Sequence, residues 1–123
     1  MGYPNYDRHG LPTIVCLCGS TRFSEGFQAA NLSETLAGRI VLTIGCDMKS
    51  DDALGLPADT KAMLDELHLR KIDLADEILV ICPGGYIGQS TAREIAYARR
   101  LGKPIRYTHM VGELDAEGRS VDR

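Results

Sequence analysis

The amino-acid sequence predicts an α/β domain, a Rossmann-like three-layer sandwich around a parallel sheet of four to five strands. Three observations lead there. Short runs of β-branched and apolar residues alternate with stretches of helical length, the pattern of repeated strand–helix–strand units. One run, Glu77–Cys82, is apolar from its second residue onward, as strands covered on both faces are. Glycine-containing turns follow two of these runs directly, where loops at the carboxyl edge of such a sheet bind ligands.

Taken in order, Thr13–Cys18 is the first strand, stopped by Gly19-Ser20. Ser24–Ala37 is the first helix, with Phe27, Ala30, Leu32 and Leu36 as apolar positions and Gly38 as its stop. Arg39–Ile44 is the second strand, and the polar stretch Gly45–Asp59 is a loop. Thr60–Ala75 is the second helix, with Leu64, Leu67 and Ile72 on its inner side. Glu77–Cys82 is the third strand, Pro83–Gln89 a glycine-rich turn and Ser90–Leu101 the third helix. Gly102-Lys-Pro104 ends that helix, and Ile105–Tyr107 is a short fourth strand. The first dozen residues and the polar tail beyond Thr108 read as irregular. No repeat or low-complexity tract interrupts the pattern.

Composition narrows the function classes. At 123 residues the chain is sized for one domain. A net charge of −3 argues against a protein that coats a nucleic acid polymer. No apolar run approaches the roughly 20 residues that span a bilayer, and the first ten residues lack the apolar core of a leader. The expectation is a cytoplasmic protein without a membrane partner. Of the four cysteines, Cys16 and Cys18 alternate onto one face of the first strand. Zinc pairs usually have two to four intervening residues, so all four read as small buried hydrophobes in a reducing compartment, and no metal is expected.

The first loop, Cys18-Gly-Ser-Thr-Arg-Phe23, joins a strand to a helix. Gly19 permits close backbone approach, Ser20 and Thr21 offer hydroxyls, and Arg22 offers a planar fork beside a helix N-terminus. Those features make an anion site. The same residues read equally well as a capped helix start with an exposed arginine. A Walker loop is excluded by spacing.

The loop Pro83–Glu94 is more informative, with Gly84, Gly85 and Gly88 preceding Ser90, Thr91 and Glu94. Three glycines after a buried strand leave the backbone free to wrap a small ligand. Thr91-x-x-Glu94 is also the spacing of a capping box. Capping accounts for the glutamate but not for the glycines, which favours a site. His68 lies on the apolar stripe of the second helix, four residues from Leu64 and from Ile72. Alone, it reads as a satisfied core histidine before it reads as a catalyst. Asp73 and Asp76 sit at that helix's C-terminal end, where negative charge needs another partner. Asp47, Asp51 and Asp52 in the middle loop read as solvated acids by default.

Three segments together resemble the nucleoside 2-deoxyribosyltransferase-like superfamily. They are Cys18-Gly-Ser-Thr-Arg22, Leu69–Val80 (Leu-Arg-Lys-Ile-Asp-Leu-Ala-Asp-Glu-Ile-Leu-Val), and the glycine-rich loop with Ser90-Thr91-x-x-Glu94-Ile95-x-x-Ala98. The likeness covers Thr13 to Tyr107 and is greatest to the small 2'-deoxynucleoside 5'-phosphate N-hydrolases and cytidylate N-glycosidases. It implies that Glu94 attacks the anomeric carbon of a sugar. It further implies that Gly19, Ser20 and Arg22 hold a 5'-phosphate, with Thr21 beside them, and that Gly85, Gly88, Ser90 and Thr91 border sugar or phosphate. The sequence departs from the family at His68, where an aspartate is common, and at Cys16, where the hydrolases often carry an aromatic residue. Pro83–Glu94 is also similar to the PGGxGTxxE loop of cytokinin-activating phosphoribohydrolases, with extra residues before the glutamate.

The expectation is therefore cleavage or transfer at the N-glycosidic bond of a nucleoside or nucleoside monophosphate, with Glu94 as nucleophile. His68 is the first choice for the acid that protonates the leaving base, and Asp47 the second. The N-terminal field of the third helix is expected to keep Glu94 ionised. No cofactor is required, and the resemblance implies a homodimer or larger assembly. From a different class, a nucleotide-binding sensor or adaptor would use the same loops without cleavage.

Overall fold

The computed structural model describes residues 10–44, 55, 57–111, 116, 118 and 119, together with the backbone of residues 6 and 7. In chain order the elements are β1 (Tyr6–Asp7), β2 (Leu11–Pro12), β3 (Ile14–Gly19), α1 (Ser24–Leu36), β4 (Ile40–Leu42), α2 (Ala58–Leu74), β5 (Glu77–Ile81), α3 (Gln89–Arg100) and β6 (Ile105–Tyr107). A single 3-10 turn, Pro83–Gly85, separates β5 from α3. Four strands form one all-parallel sheet in the order β4-β3-β5-β6. The α/β expectation holds, at the four-stranded end of its range.

Alternation along the two central strands divides the core. Val15 and Leu17 of β3 point to one face, where they meet Phe27 and Ala30 of α1 and Leu79 and Ile81 of β5. Cys16, Cys18, Ile78 and Val80 point to the other, against Ile72 of α2 and Ala92, Ile95 and Ala98 of α3. One helix thus covers one face and two cover the other, giving three layers. Helix α1 approaches closely because Gly26 has no side chain: a Cβ there would lie 2.8 Å from Ile81 Cγ2.

The chain runs from β3 outward to β4, then crosses β3 to reach β5 and continues outward to β6. The direction of winding reverses between β3 and β5, so the loops leaving these strands diverge and open a crevice at their carboxyl ends. Gly19 ends β3 opposite Ile81 with φ +156°. A Cβ on it would fall 2.7 Å from the Ile81 carbonyl oxygen, so only glycine lets the two strand ends stay paired there.

Three sequence expectations are corrected. The amino-terminal stretch is not wholly irregular: Tyr6–Asp7 pairs antiparallel with Leu11–Pro12, in strands too short for alternation to reveal. On α1, Leu32 and Leu36 are exposed at 62% and 77%, while Glu34 is buried. The reason is electrostatic, since Arg106 of β6 donates hydrogen bonds to both Glu34 and Glu77, and Arg39 lies 3.4 Å from Glu34. On α2, Leu67 is exposed and His68 takes the buried position beside Ile72. Asp73 and Asp76 do have partners: the Tyr97 hydroxyl donates to Asp73 at 2.6 Å, and the Ile14 amide donates to Asp76 at 2.8 Å.

Candidate active site

A cleft of about 280 Å³ opens at the carboxyl edge of the sheet. Three segments build it. The loop after β3 contributes Gly19, Ser20 and Thr21, helix α2 contributes Leu64, Asp65, His68 and Lys71, and the start of α3 contributes Gln89, Ser90, Thr91 and Glu94. Its volume lies just under the roughly 300–1,000 Å³ usual for small-molecule pockets. The two glycine-containing loops thus face one space.

Not every expected residue lines it. Arg22 is exposed and stacks its guanidinium 4.8 Å from the ring centroid of Tyr86, itself a wall of the cleft. The contact ties the first loop to the second and places the cation at the rim. Gly85 is buried with φ +78°, and Gly88 is the residue before α3; both shape the loop and neither lines the cleft. Asp47 lies outside the described residues. Neither capping alternative survives. The residues preceding α1 and α3 are Phe23 and Gly88, and neither helix has a side-chain cap. Because α3 begins at Gln89, Thr91 is its third residue and Glu94 its sixth, beyond the span of a capping box.

Glu94 instead turns its carboxyl inward, its side chain 15% exposed, with Oε1 3.8 Å from His68 Nε2. Behind His68 lie the two cysteines of β3. Cys18 Sγ is 3.5 Å and Cys16 Sγ 3.7 Å from the same nitrogen. Alternation along β3 aims both sulfurs at α2, while the helical period aims His68 back at them. The cysteines were expected as inert filler. They are buried, but they form a polar knot with a histidine and a carboxylate.

The electrostatics follow from that crowding. Burial pushes the Glu94 carboxyl up to about 7, against the opposing attraction of His68. The helix field expected to keep it ionised does not prevail, because Glu94 lies beyond the first turn, where that field fades. The Cys18 thiol, donating to Cys16, is the main reason the Cys16 thiol falls to about 6; His68 adds to it. Cys18 is raised in turn by that hydrogen bond and by burial. Burial opposes a charge on His68, yet its hydrogen bond to Cys16 and the Glu94 carboxylate together raise it. Perturbed titratable groups converging on a cleft are a recognised mark of functional sites.

Sequence reasoning missed Cys16, Cys18, Lys71, Tyr86 and Gln89 as members or neighbours of this site. Same-face alternation of the cysteines was visible, but what faced them across the sheet was not. No protein-family model, curated protein or solved structure matches the chain. The chain is a small α/β fold with a four-stranded parallel sheet.

Proposed function

We propose that the chain cleaves or transfers at the N-glycosidic bond of a nucleoside, bound as its 5'-monophosphate, with Glu94 as the nucleophile. One observation carries this reading. A largely buried carboxylate borders a small cleft at the switch point of the sheet, facing the hydroxyl-bearing residues Ser20, Thr21, Ser90 and Thr91. The motif likeness to deoxyribosyltransferase-like enzymes supports the same assignment.

In the reaction, a Glu94 carboxylate oxygen bonds to C1' as the bond from C1' to the base nitrogen breaks. The electron pair leaves with the base, which takes up a proton. Water, or the nitrogen of a second base, then attacks C1', loses a proton and releases Glu94 as carboxylate. Arg22 at the rim holds the phosphate, and Ser90 and Thr91 border the sugar.

His68 stands 3.8 Å from Glu94, and its cation favours the ionised carboxylate. His68 is the first choice for the acid that protonates the departing base, and Asp47 the second. The reading also includes a homodimer or larger assembly, checked by light scattering.

The test is incubation with a panel of nucleosides and their monophosphates, with free base measured by chromatography. The parent should release base from at least one of them. Glu94→Gln should stay folded, bind that ligand and lose several orders of magnitude in turnover. Near-normal release by the variant would remove the nucleophile, and no release by the parent would leave a binding protein.

A further inference from the structure

The knot behind the cleft gathers two thiols and a carboxylate around one imidazole nitrogen. A histidine ring nitrogen has either one proton or one lone pair. Around His68 Nε2 lie three polar atoms: Cys18 Sγ at 3.5 Å, Cys16 Sγ at 3.7 Å and Glu94 Oε1 at 3.8 Å. That nitrogen satisfies one of the three contacts, and the two thiols and Glu94 share hydrogen bonds among themselves. The Cys16 thiol has the Leu17 carbonyl as a further acceptor, but only at 3.9 Å. The Cys18 thiol interacts with Cys16 and with Glu94 as well. Two sulfurs and an imidazole nitrogen therefore converge within 4.8 Å of one another, all buried and supplied by two different elements, with the Glu94 carboxylate of a third beside the nitrogen.

Such convergence fits a small cation. Zinc bonds of about 2.3 Å to sulfur and 2.0–2.1 Å to nitrogen, set at tetrahedral angles, separate the two donors by about 3.5–3.6 Å. The two observed S···N distances, 3.5 and 3.7 Å, bracket that spacing. All three donor atoms of Cys16, Cys18 and His68 lie within 4.8 Å of one another. A carboxylate ligand would sit about 3.3–3.5 Å from the nitrogen, so Glu94 must move inward from 3.8 Å by a few tenths of an ångström. Access runs through the cleft, whose wall includes His68 and Glu94.

We propose that Cys16, Cys18 and His68, with Glu94 as the fourth ligand, bind a thiophilic divalent cation of the zinc class. Two thiolates select against magnesium and calcium, which take oxygen donors. The Cys-x-Cys spacing is too tight for a turn to wrap a metal, but on a strand it places both sulfurs on one face, and the helix brings the third ligand. This inference does not rest on the N-glycosidase reading. It adds a consequence to it, because a cation held by Glu94 occupies the carboxylate that would attack the sugar. The metal-loaded chain is then the inactive form.

Cobalt(II) titration of the reduced chain, after removal of metals with a chelator, reads the ligands directly. The expected result is saturation at one cobalt per chain. Intense visible bands of a tetrahedral centre should appear with a charge-transfer band sized for two thiolates. Repeating the titration with Cys46→Ser and Cys82→Ala combined leaves the pair at 16 and 18 as the only thiols in the chain. The spectrum should not change. Cys16→Ser and His68→Gln should each weaken zinc binding, in competition with a chromophoric chelator, by at least about 100-fold, beyond what outer-shell changes typically cause. A pale octahedral spectrum from the parent overturns the proposal without any variant having to fold. So do thiolate bands that vanish when Cys46 and Cys82 are removed, or that survive in folded Cys16→Ser. Base release measured on metal-free protein reports separately on the enzymatic reading.

Discussion

Replacing Glu94 with glutamine should make the folded chain more stable at neutral pH, and the gain should depend on pH in a specific way. Burial holds the Glu94 carboxyl at about 7, against an ordinary value of 4.5. Below the lower value both folded and unfolded chains carry the proton, and the group contributes nothing. Between the two values the unfolded chain has released the proton while the folded chain keeps it, so stability falls as pH rises. Above the upper value the full penalty applies. At 1.36 kcal/mol per pH unit, the gap corresponds to roughly 3 kcal/mol. Glutamine has the same shape and no proton to lose, so Glu94→Gln escapes the penalty. Urea unfolding of parent and variant, with a chelator present, measures it. The difference should be near zero at about pH 4.5 and reach the order of 3 kcal/mol in favour of the variant at about pH 8. A difference that stays flat across this range, or a variant less stable than the parent at the upper end, would refute the reasoning.

Other outcomes follow from single contacts. The Lys103 ammonium donates to the carbonyls of Ile72, Asp73 and Ala75 at 2.8, 2.7 and 2.6 Å, closing the end of α2. Lys103→Met should cost about 1–3 kcal/mol in chemical denaturation, the range for stranding part-buried acceptors of a charged donor, and a loss below about 0.5 would contradict it. Gly19→Ala should destabilise by about 2–4 kcal/mol or block soluble expression, because its methyl meets the Ile81 carbonyl at 2.7 Å; an unchanged melting temperature would show that the strand ends can part. Arg22→Ala should weaken a nucleoside monophosphate by about 10- to 100-fold in calorimetry while barely changing the free nucleoside. Equal losses for both ligands would take the arginine out of phosphate binding.

The order of strands and helices was legible because the central strands are continuous apolar runs and glycine follows α1 and stands at both ends of α3. Edges were harder. Arg39–Ile44 looks like a strand of six residues, yet only Ile40–Leu42 pairs, against Ile14–Cys16. Burial of Glu34 could not be read from α1, because the partner that justifies it, Arg106, lies 72 residues away. In the site, Glu94, Ser90, Thr91 and the Gly19–Thr21 loop were found by spacing, since local geometry decides where a strand–turn–helix unit presents its residues. Cys16 and Cys18 were set aside by a spacing rule drawn from metal-binding turns. That rule is local, and their meeting with His68 is not.

The sheet has its two shortest members at its borders, β4 and β6, each three residues long. Its longer members, β3 and β5, are enclosed between them. A foreign strand docking on either border finds a template of only a few backbone groups, too little to nucleate pairing between molecules. The segments with real propensity to self-associate, Ile14–Cys18 and Ile78–Cys82, are both β-rich, uncharged and free of proline. They come within reach of another chain only when the central ladder itself opens. Clumping of this protein should therefore keep pace with complete unfolding rather than with fraying, and whatever steadies the centre of the sheet protects its solubility as well.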